Sequence, residues 1–320
     1  MFASFSDYLP IRTWLAQSRR VLPRPTGSLA GKTLLITGAS GAIVSIAARI
    51  LLDELDAAQL IFAVPDIPEG PDGAPALAAL PGLRDCAHLS QITVWHLDLL
   101  SFASVRHLAA RAAALDRLDG ALMGAALITT DRAVGPDGWD AALQVNHLAC
   151  ALLELLLLPA LARSAARHGA PAVLSAVSSL SVRPGALGLP TTAATTTTLL
   201  RAVDGVVGYA ARRQQYGVAK LLHLFFVREL AARARGCGVL VRACDFGVSG
   251  GVTGVATVNW EARLFSSVFG RSPEMCARVV ANACVAREDE HGAILVDYEP
   301  GEYVTALLGF SDGVMVLETR

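Results

Sequence analysis

The sequence predicts an α/β protein built on one doubly wound parallel sheet. Apolar runs rich in Leu, Val and Ile recur along the chain, and stretches of helical character separate them. Charged residues make up only 17% of the chain against an apolar share of 53%. A parallel sheet covered by helices on both faces needs strands that are apolar throughout. Alternation of such strands with helices is the mark of βαβ units. A length of 320 residues suits one open α/β domain and a large buried core.

The elements follow in order. After a polar lead-in ending LPRPTGSLAGK, Thr33–Thr37 (TLLIT) is the first predicted strand, and GASGA leads from it into the helix IVSIAARILLDEL. LIFAV is a second strand ended by Pro65-Asp66, followed by a loop rich in Pro, Gly and Ala to about Gly82. ITVWHLDL and GALMGAALI are the third and fourth strands, with the helix SFASVRHLAARAAAL between them. A long fourth helix, GWDAALQVNHLACALLELLLLPALARSA, leads to the strand PAVLSAVSS. YGVAKLLHLFFVRELAARA is a fifth helix, GVLVRACDF a sixth strand and AILVDY a seventh. Residues 1–29 read as an N-terminal extension and 30–320 as the domain. Residues 183–215 break the rhythm with the Thr-rich stretch PGALGLPTTAATTTTLL. A long connection at the carboxyl end of a parallel sheet lies where ligands bind, so a substrate-covering flap is one reading. A disordered insertion is the other.

A net charge of -1 gives no electrostatic reason to expect nucleic acid or an anionic membrane as partner. The six cysteines form no CxxC pair and no zinc spacing, so no metal is expected and the thiols read as reduced. The start of the chain lacks the pattern of a signal peptide, which points to the cytoplasm. The greasiest stretch, 148–161, is broken by Glu154 and Pro159 and falls short of the ~20 residues of a membrane span. It reads as a buried or interface helix. Leu152, Leu155, Leu156 and Leu158 make it apolar on more than one face, which predicts a homodimer.

Tyr216 and Lys220 stand four apart on a predicted helix, so their side chains share a face. An ammonium beside a phenol favours the phenolate, and such a tyrosine can exchange a proton with a carbonyl or alcohol oxygen. The pairing gains weight from composition, since Lys32 and Lys220 are the only lysines in a chain that otherwise uses Arg. Ser179 ends the fifth strand, where a hydroxyl can bond a substrate oxygen beside the tyrosine. Asn146, in QVNHL, lies on the fourth helix.

In this order and spacing the residues resemble the short-chain dehydrogenase/reductase family, from about Pro23 onward. The resemblance is closest to retinol-dehydrogenase-like enzymes of fungal secondary metabolism. LAGKTLLITGAS, VWHLDLLSFASV, LQVNHLACALL, AVSSLS, YGVAKLL and HGAILVDYEPGE follow that family's order. It implies a Rossmann-type fold, an NADP or NAD cofactor and carbonyl–alcohol interconversion. It makes Tyr216 the general acid/base and gives Lys220 the lowering of its pKa and the holding of the nicotinamide ribose. Ser179 would orient the substrate oxygen, and Asn146 would support a proton-relay water. Gly38, Ser40, Gly41, Ile43, Asp98, Gly124 and Val248 would join Tyr216 and Lys220 in cofactor contact.

The cofactor side departs from the family's pattern. In TGxxxGxG, Ala42 and Val44 replace the second and third glycines, and the NAG after strand four is Gly124-Ala125-Ala126. Pro65 stands where an Arg would meet a 2′-phosphate, and the adjacent Asp66 favours NAD if it faces the ribose. After strand six, Phe246-Gly247 and Gly251 replace the expected Pro-Gly and Thr. Three readings therefore stand: an NAD(P)-dependent oxidoreductase, a redox-neutral acid/base enzyme such as a cyclase, dehydratase or isomerase, and a non-catalytic binding protein. The flap and the apolar stretch 260–269, read as a substrate-side helix, suggest a bulky apolar substrate such as a polyketide or terpenoid.

Overall fold

The computed structural model describes residues 11–129, 131–179, 200–201, 203–204, 209–250 and 266–300. Its frame is one eight-stranded sheet of order β3-β2-β1-β4-β5-β6-β7-β8. The strands are β1 Thr33–Thr37, β2 Gln59–Val64, β3 Ile92–His96, β4 Gly120–Met123, β5 Ala172–Val177, β6 Val239–Asp245, β7 Ile294–Val296 and β8 Glu299–Pro300. The first seven run parallel, and the two-residue β8 pairs antiparallel with β7, so the sheet is mixed at one edge. The seven predicted strands are all present. β4 is shorter than predicted, because the chain leaves the sheet after Met123 at Gly124-Ala125-Ala126.

Both faces of the sheet are covered by hydrophobic clusters. Along β1, Leu35 joins one hydrophobic cluster, while Leu34 and Ile36 join the other. That is why the strand is a continuous apolar run: successive side chains point to opposite faces, and each face is covered. The N-terminal helix α1 (Ile11–Arg19) precedes the sheet. Against one face lie α2 (Ala42–Asp53) and the later α7 (Pro273–Asn282). Against the other lie α4 (Phe102–Ala113), α5 (Ala141–His168) and α6 (Tyr209–Arg233). A short α3, Ala74–Ala79, sits inside the stretch expected to be loop.

Two helices bear on the site. α5 is continuous, but Gln144–Leu148 form a π turn within it, and Asn146 lies in that turn. By length and composition α5 could cross a membrane, which the shorter 148–161 estimate had not allowed. Here it is largely buried in the core, through Leu153, Leu157 and Leu161 among others. Leu155 and Leu156 remain exposed at 49% and 38%. α6 begins at Tyr209, so the last part of the proposed flap is helical. Most of the flap, and residues 260–265 of the expected substrate-side helix, lie outside the described residues.

Segment 11–30, expected as a polar lead-in, is fastened to the sheet's far edge. Arg278 donates to Leu22 O, the Tyr298 hydroxyl donates to Pro23 O, and Arg271 Nε donates to Gln17 O. β6 carries a buried arginine amid its apolar run. The Arg242 guanidinium is taken up by Glu290 and by the carbonyls of Ala283 and Val285, so its charge and donors are satisfied.

Candidate active site

The carboxyl ends of β1, β4, β5 and β6 meet where the strand order reverses, between β1 and β4. In open α/β sheets ligands bind in the crevice at that reversal. Two sub-sites flank it.

The first is the turn from β1 into α2. Gly38 has φ +73, and a Cβ added there would stand 2.6 Å from the backbone of Ala125. Only glycine fits, both for its left-handed backbone and because two chain segments touch. Gly41 N donates to Gly38 O and closes the turn. Gly41 is also the N-cap of α2 and supplies no side-chain cap. The helix therefore offers its first-turn N–H groups and positive dipole end to an anion. The Thr37 hydroxyl accepts from Gly124 N at 3.1 Å and Ala125 N at 3.2 Å, tying the loop after β4 to the end of β1.

Val44, which stands where the family's pattern has its third glycine, packs inward. It is only 7% exposed, and a Cβ added to Gly124 would stand 3.0 Å from its Cγ2. The isopropyl group thus occupies room that Gly124 leaves vacant. The two departures from the family's pattern fit each other, and the helix start is not blocked from solvent by Val44. Ser40 and Ala42 are partly exposed at the turn, Gly41 is exposed, and Ile43 is buried at 8%. Ile43 accordingly belongs mainly to the core. Asp98 uses Oδ1 to accept from Leu100 N at 2.8 Å, so it shapes the turn after β3. Pro65 and Asp66 are exposed at the end of β2. Val248 accepts from Arg271 N, which fixes the loop after β6.

The second sub-site lies at the ends of β5 and β6. Tyr216 is half-buried on α6 and hydrogen-bonded to Ser179, just beyond β5. Lys220, one turn later, is buried and its Nζ donates to Val177 O at 2.8 Å. The structure thus brings Ser179, Tyr216 and Lys220 together. The electrostatics differ from the sequence expectation. Burial pushes the Tyr216 phenol up to about 12, with the Ser179 hydrogen bond opposing and the Asp245 charge adding to the rise. The expected lowering by Lys220 is not among the effects that set it. Burial also lowers the pKa of Lys220 itself.

Asn146 lies on the long helix as expected, and its side chain is held by backbone groups. Its Nδ2 donates to Leu127 O at 2.6 Å and Ala142 O at 2.7 Å, and its Oδ1 accepts from Leu127 N at 3.1 Å. The side chain therefore anchors the loop after β4 to α5. Asp245, at the end of β6, escaped the sequence reading. It is buried, accepts from Gly247 N at 2.7 Å and acts electrostatically on both Tyr216 and Lys220. A charged residue closing the apolar run VLVRACD was the signal for it.

An uncapped helix start at the sheet's reversal, beside a Ser–Tyr–Lys group, defines a dinucleotide-binding type of enzyme fold. No family profile matches the chain. Similar proteins do. A short-chain dehydrogenase/reductase of Aspergillus flavipes, ffsI, is 30% identical over 275 residues, covering 84% of this chain and 77% of the relative. A short-chain dehydrogenase of Aspergillus ruber, fogG, is 31% identical over 306 residues, covering 88% and 83%. Among solved structures, the Pseudomonas aeruginosa RhlG/NADP active-site complex superposes with a TM-score of 0.56 at 23% identity, covering 84% of this chain and 95% of that one. A short-chain dehydrogenase from Sphingobium yanoikuyae in complex with NADPH gives 0.53 at 17% identity, covering 77% and 81%. The chain belongs to the short-chain dehydrogenase/reductase family and is an oxidoreductase of that type.

Proposed function

We propose that the protein is a cytoplasmic, NAD(P)-dependent oxidoreductase that interconverts a carbonyl and an alcohol on a bulky apolar small molecule. A polyketide or terpenoid of secondary metabolism is the substrate class. One observation carries the reading: the Tyr216–Ser179 pair and the uncapped start of α2 flank the same reversal in strand order.

The nucleotide's fit rests on the chain's own geometry. Gly38, Ser40 and Gly41, with the first N–H groups of α2, would hold the pyrophosphate. Gly124 and Val248 would line the nicotinamide side, and Asp98 the adenine side. The carboxylate of Asp66 disfavours a 2′-phosphate nearby, an argument for NAD over NADP. The bound nicotinamide would supply or accept the hydride.

The protein's share is proton transfer and orientation. Ser179 holds the substrate oxygen, and Tyr216 gives its proton to that oxygen in reduction or takes it in oxidation. With its phenol pushed up to about 12, Tyr216 is the acid form at neutral pH, the form carbonyl reduction uses. Lys220, one helical turn away, would hold the ribose and place positive charge near the phenol. The redox-neutral reading rested on the departures at Ala42, Val44, Gly124-Ala125-Ala126 and Phe246-Gly247, and the burial of Val44 against Gly124 weighs against one of them.

The test is turnover of apolar ketones and alcohols with NADH and NADPH, followed by nicotinamide absorbance. We expect turnover in wild type and its collapse in Tyr216→Phe. Conversion of substrate with no change in the nucleotide would instead identify a redox-neutral enzyme.

A further inference from the structure

Behind the Tyr216–Lys220 pair, the interface of α5 and α6 holds ionisable groups that acid/base chemistry at the sheet edge does not call for. Asn146, Cys150 and Glu154 lie at four-residue steps on α5, and Tyr216, Lys220 and His223 form the facing stripe on α6. Glu154 and His223 are buried, with Nε2 of His223 3.2 Å from Oε1 of Glu154. The His223 ring stacks on Phe226, and His147 meets it edge-on with ring centroids 5.9 Å apart. Among the described residues, both carboxylate oxygens of Glu154, both ring nitrogens of His223 and Nδ1 of His147 have no formed hydrogen bond, so the 3.2 Å approach of His223 to Glu154 is a close contact only.

A buried carboxylate without hydrogen bonds is costly, so its neighbours in charge matter. Lys220 has the converse difficulty. Its Nζ has one described hydrogen bond, to Val177 O, and burial favours the neutral amine. Among the described residues, the groups acting on its charge are Cys150 and Glu154 from α5 and Cys244 and Asp245 from β6, while β5 offers only the Val177 carbonyl. The thiols of Cys150 and Cys244 are pushed up by burial and stay neutral. Among the described residues two carboxylates remain, Asp245 at the end of β6 and Glu154 on α5.

We propose that Glu154 is a positioning residue for Lys220: braced by the His223 ring, its carboxylate supplies the negative charge behind the amine that keeps it an ammonium. The proposal deepens the functional reading, because only an ammonium can place positive charge beside Tyr216. Its electrostatic core does not depend on any substrate or nucleotide. His147 adds no charge here, since burial and the neighbouring His223 depress its pKa to about 3.

The chain's composition supplies the test. Lys32 and Lys220 are the only lysines, so protein labelled with 13C-lysine shows two side-chain signals, and Lys32→Arg assigns them. Lys220 is then titrated directly in wild type, Glu154→Gln and Glu154→Asp. Glu154→Gln is expected to lower the Lys220 midpoint by about one pH unit, a tenfold shift towards the neutral amine. Glu154→Asp should restore most of it. A midpoint moved by less than ~0.3 unit in Glu154→Gln overturns the proposal. Should Glu154→Gln not fold, Glu154→Leu with His223→Leu replaces both polar partners by apolar groups, which buried pairs often tolerate. The same fall is expected there, and an unmoved midpoint again overturns the proposal. Because this readout needs neither nucleotide nor turnover, its failure is separate from any failure of the oxidoreductase reading.

Discussion

The two flanks of the crevice differ in opposite senses. At the β1–α2 turn the residues depart from the family's pattern, yet two of the departures pack together, because Val44 fills the room that Gly124 leaves. At the end of β5 the residues match, yet the expected electrostatics are missing, because burial holds the Tyr216 phenol up to about 12. A motif thus reports neither shape nor charge by itself. Shape depends on what packs behind each position, and charge on how far each group is removed from water.

The largest effect expected on this comparison is at Tyr216. Tyr216→Phe keeps the ring and removes the proton, so turnover should fall by roughly 10²–10⁴-fold while nucleotide affinity stays within a few-fold. A variant turning over near the wild-type rate breaks the acid/base half of the account. Lys220→Arg comes next. Guanidinium is bulkier than ammonium and cannot replace its bond to Val177 O in the same space, so most activity should be lost. If heating shows that the variant is unfolded, Lys220 is chiefly structural.

The direction of pH dependence sharpens the same half. The folded pKa of Tyr216 lies above the unfolded value near 10, so burying the neutral phenol adds stability below pH ~10 that is lost as pH rises towards ~12. The phenol is therefore protonated at neutral pH. Carbonyl reduction should be flat through neutrality, whereas alcohol oxidation, which needs the phenolate, should climb with pH. Rates compared in the two directions check it, and an oxidation rate already level at neutral pH contradicts it.

A smaller effect tests the nucleotide flank. Val44→Gly empties the space against Gly124 and puts glycine in the first turn of α2, so a loss of about 1–3 kcal/mol in stability is expected. Nucleotide affinity should not improve. Gly124→Asn alone should destabilise, since its Cβ would meet Thr37 O at 2.8 Å and Val44 Cγ2 at 3.0 Å. Combined with Val44→Gly it should cost less than the sum, the non-additivity expected of touching residues. Strict additivity of the two changes in denaturant melts would show that the fit between them is illusory.

The strands were legible because each face of the sheet is covered, which makes every strand an uninterrupted apolar run. Even β6 was legible with Arg242 inside it. What escaped was set by partners distant in sequence. α3 looked like loop from its Pro and Ala. α7 carried a readable start, Ser272 followed by Pro273, and Ser272 does cap Met275 N. Glu154 read as a break in a greasy stretch, and only the packing of α5 on α6 shows its proximity to His223. The Val44–Gly124 fit was invisible for the same reason, since eighty residues and a strand crossover separate two positions that looked like independent losses.

Binding of the nucleotide itself bears most directly on the central claim, that this turn still holds a dinucleotide. Calorimetric titration of the wild-type protein with NADH and with NADPH should show saturable one-site binding of at least one of them at micromolar levels, and Val44→Gly should bind no more tightly. Absence of binding to both nucleotides at millimolar concentration in folded wild-type protein, or a large gain of affinity in Val44→Gly, would contradict it.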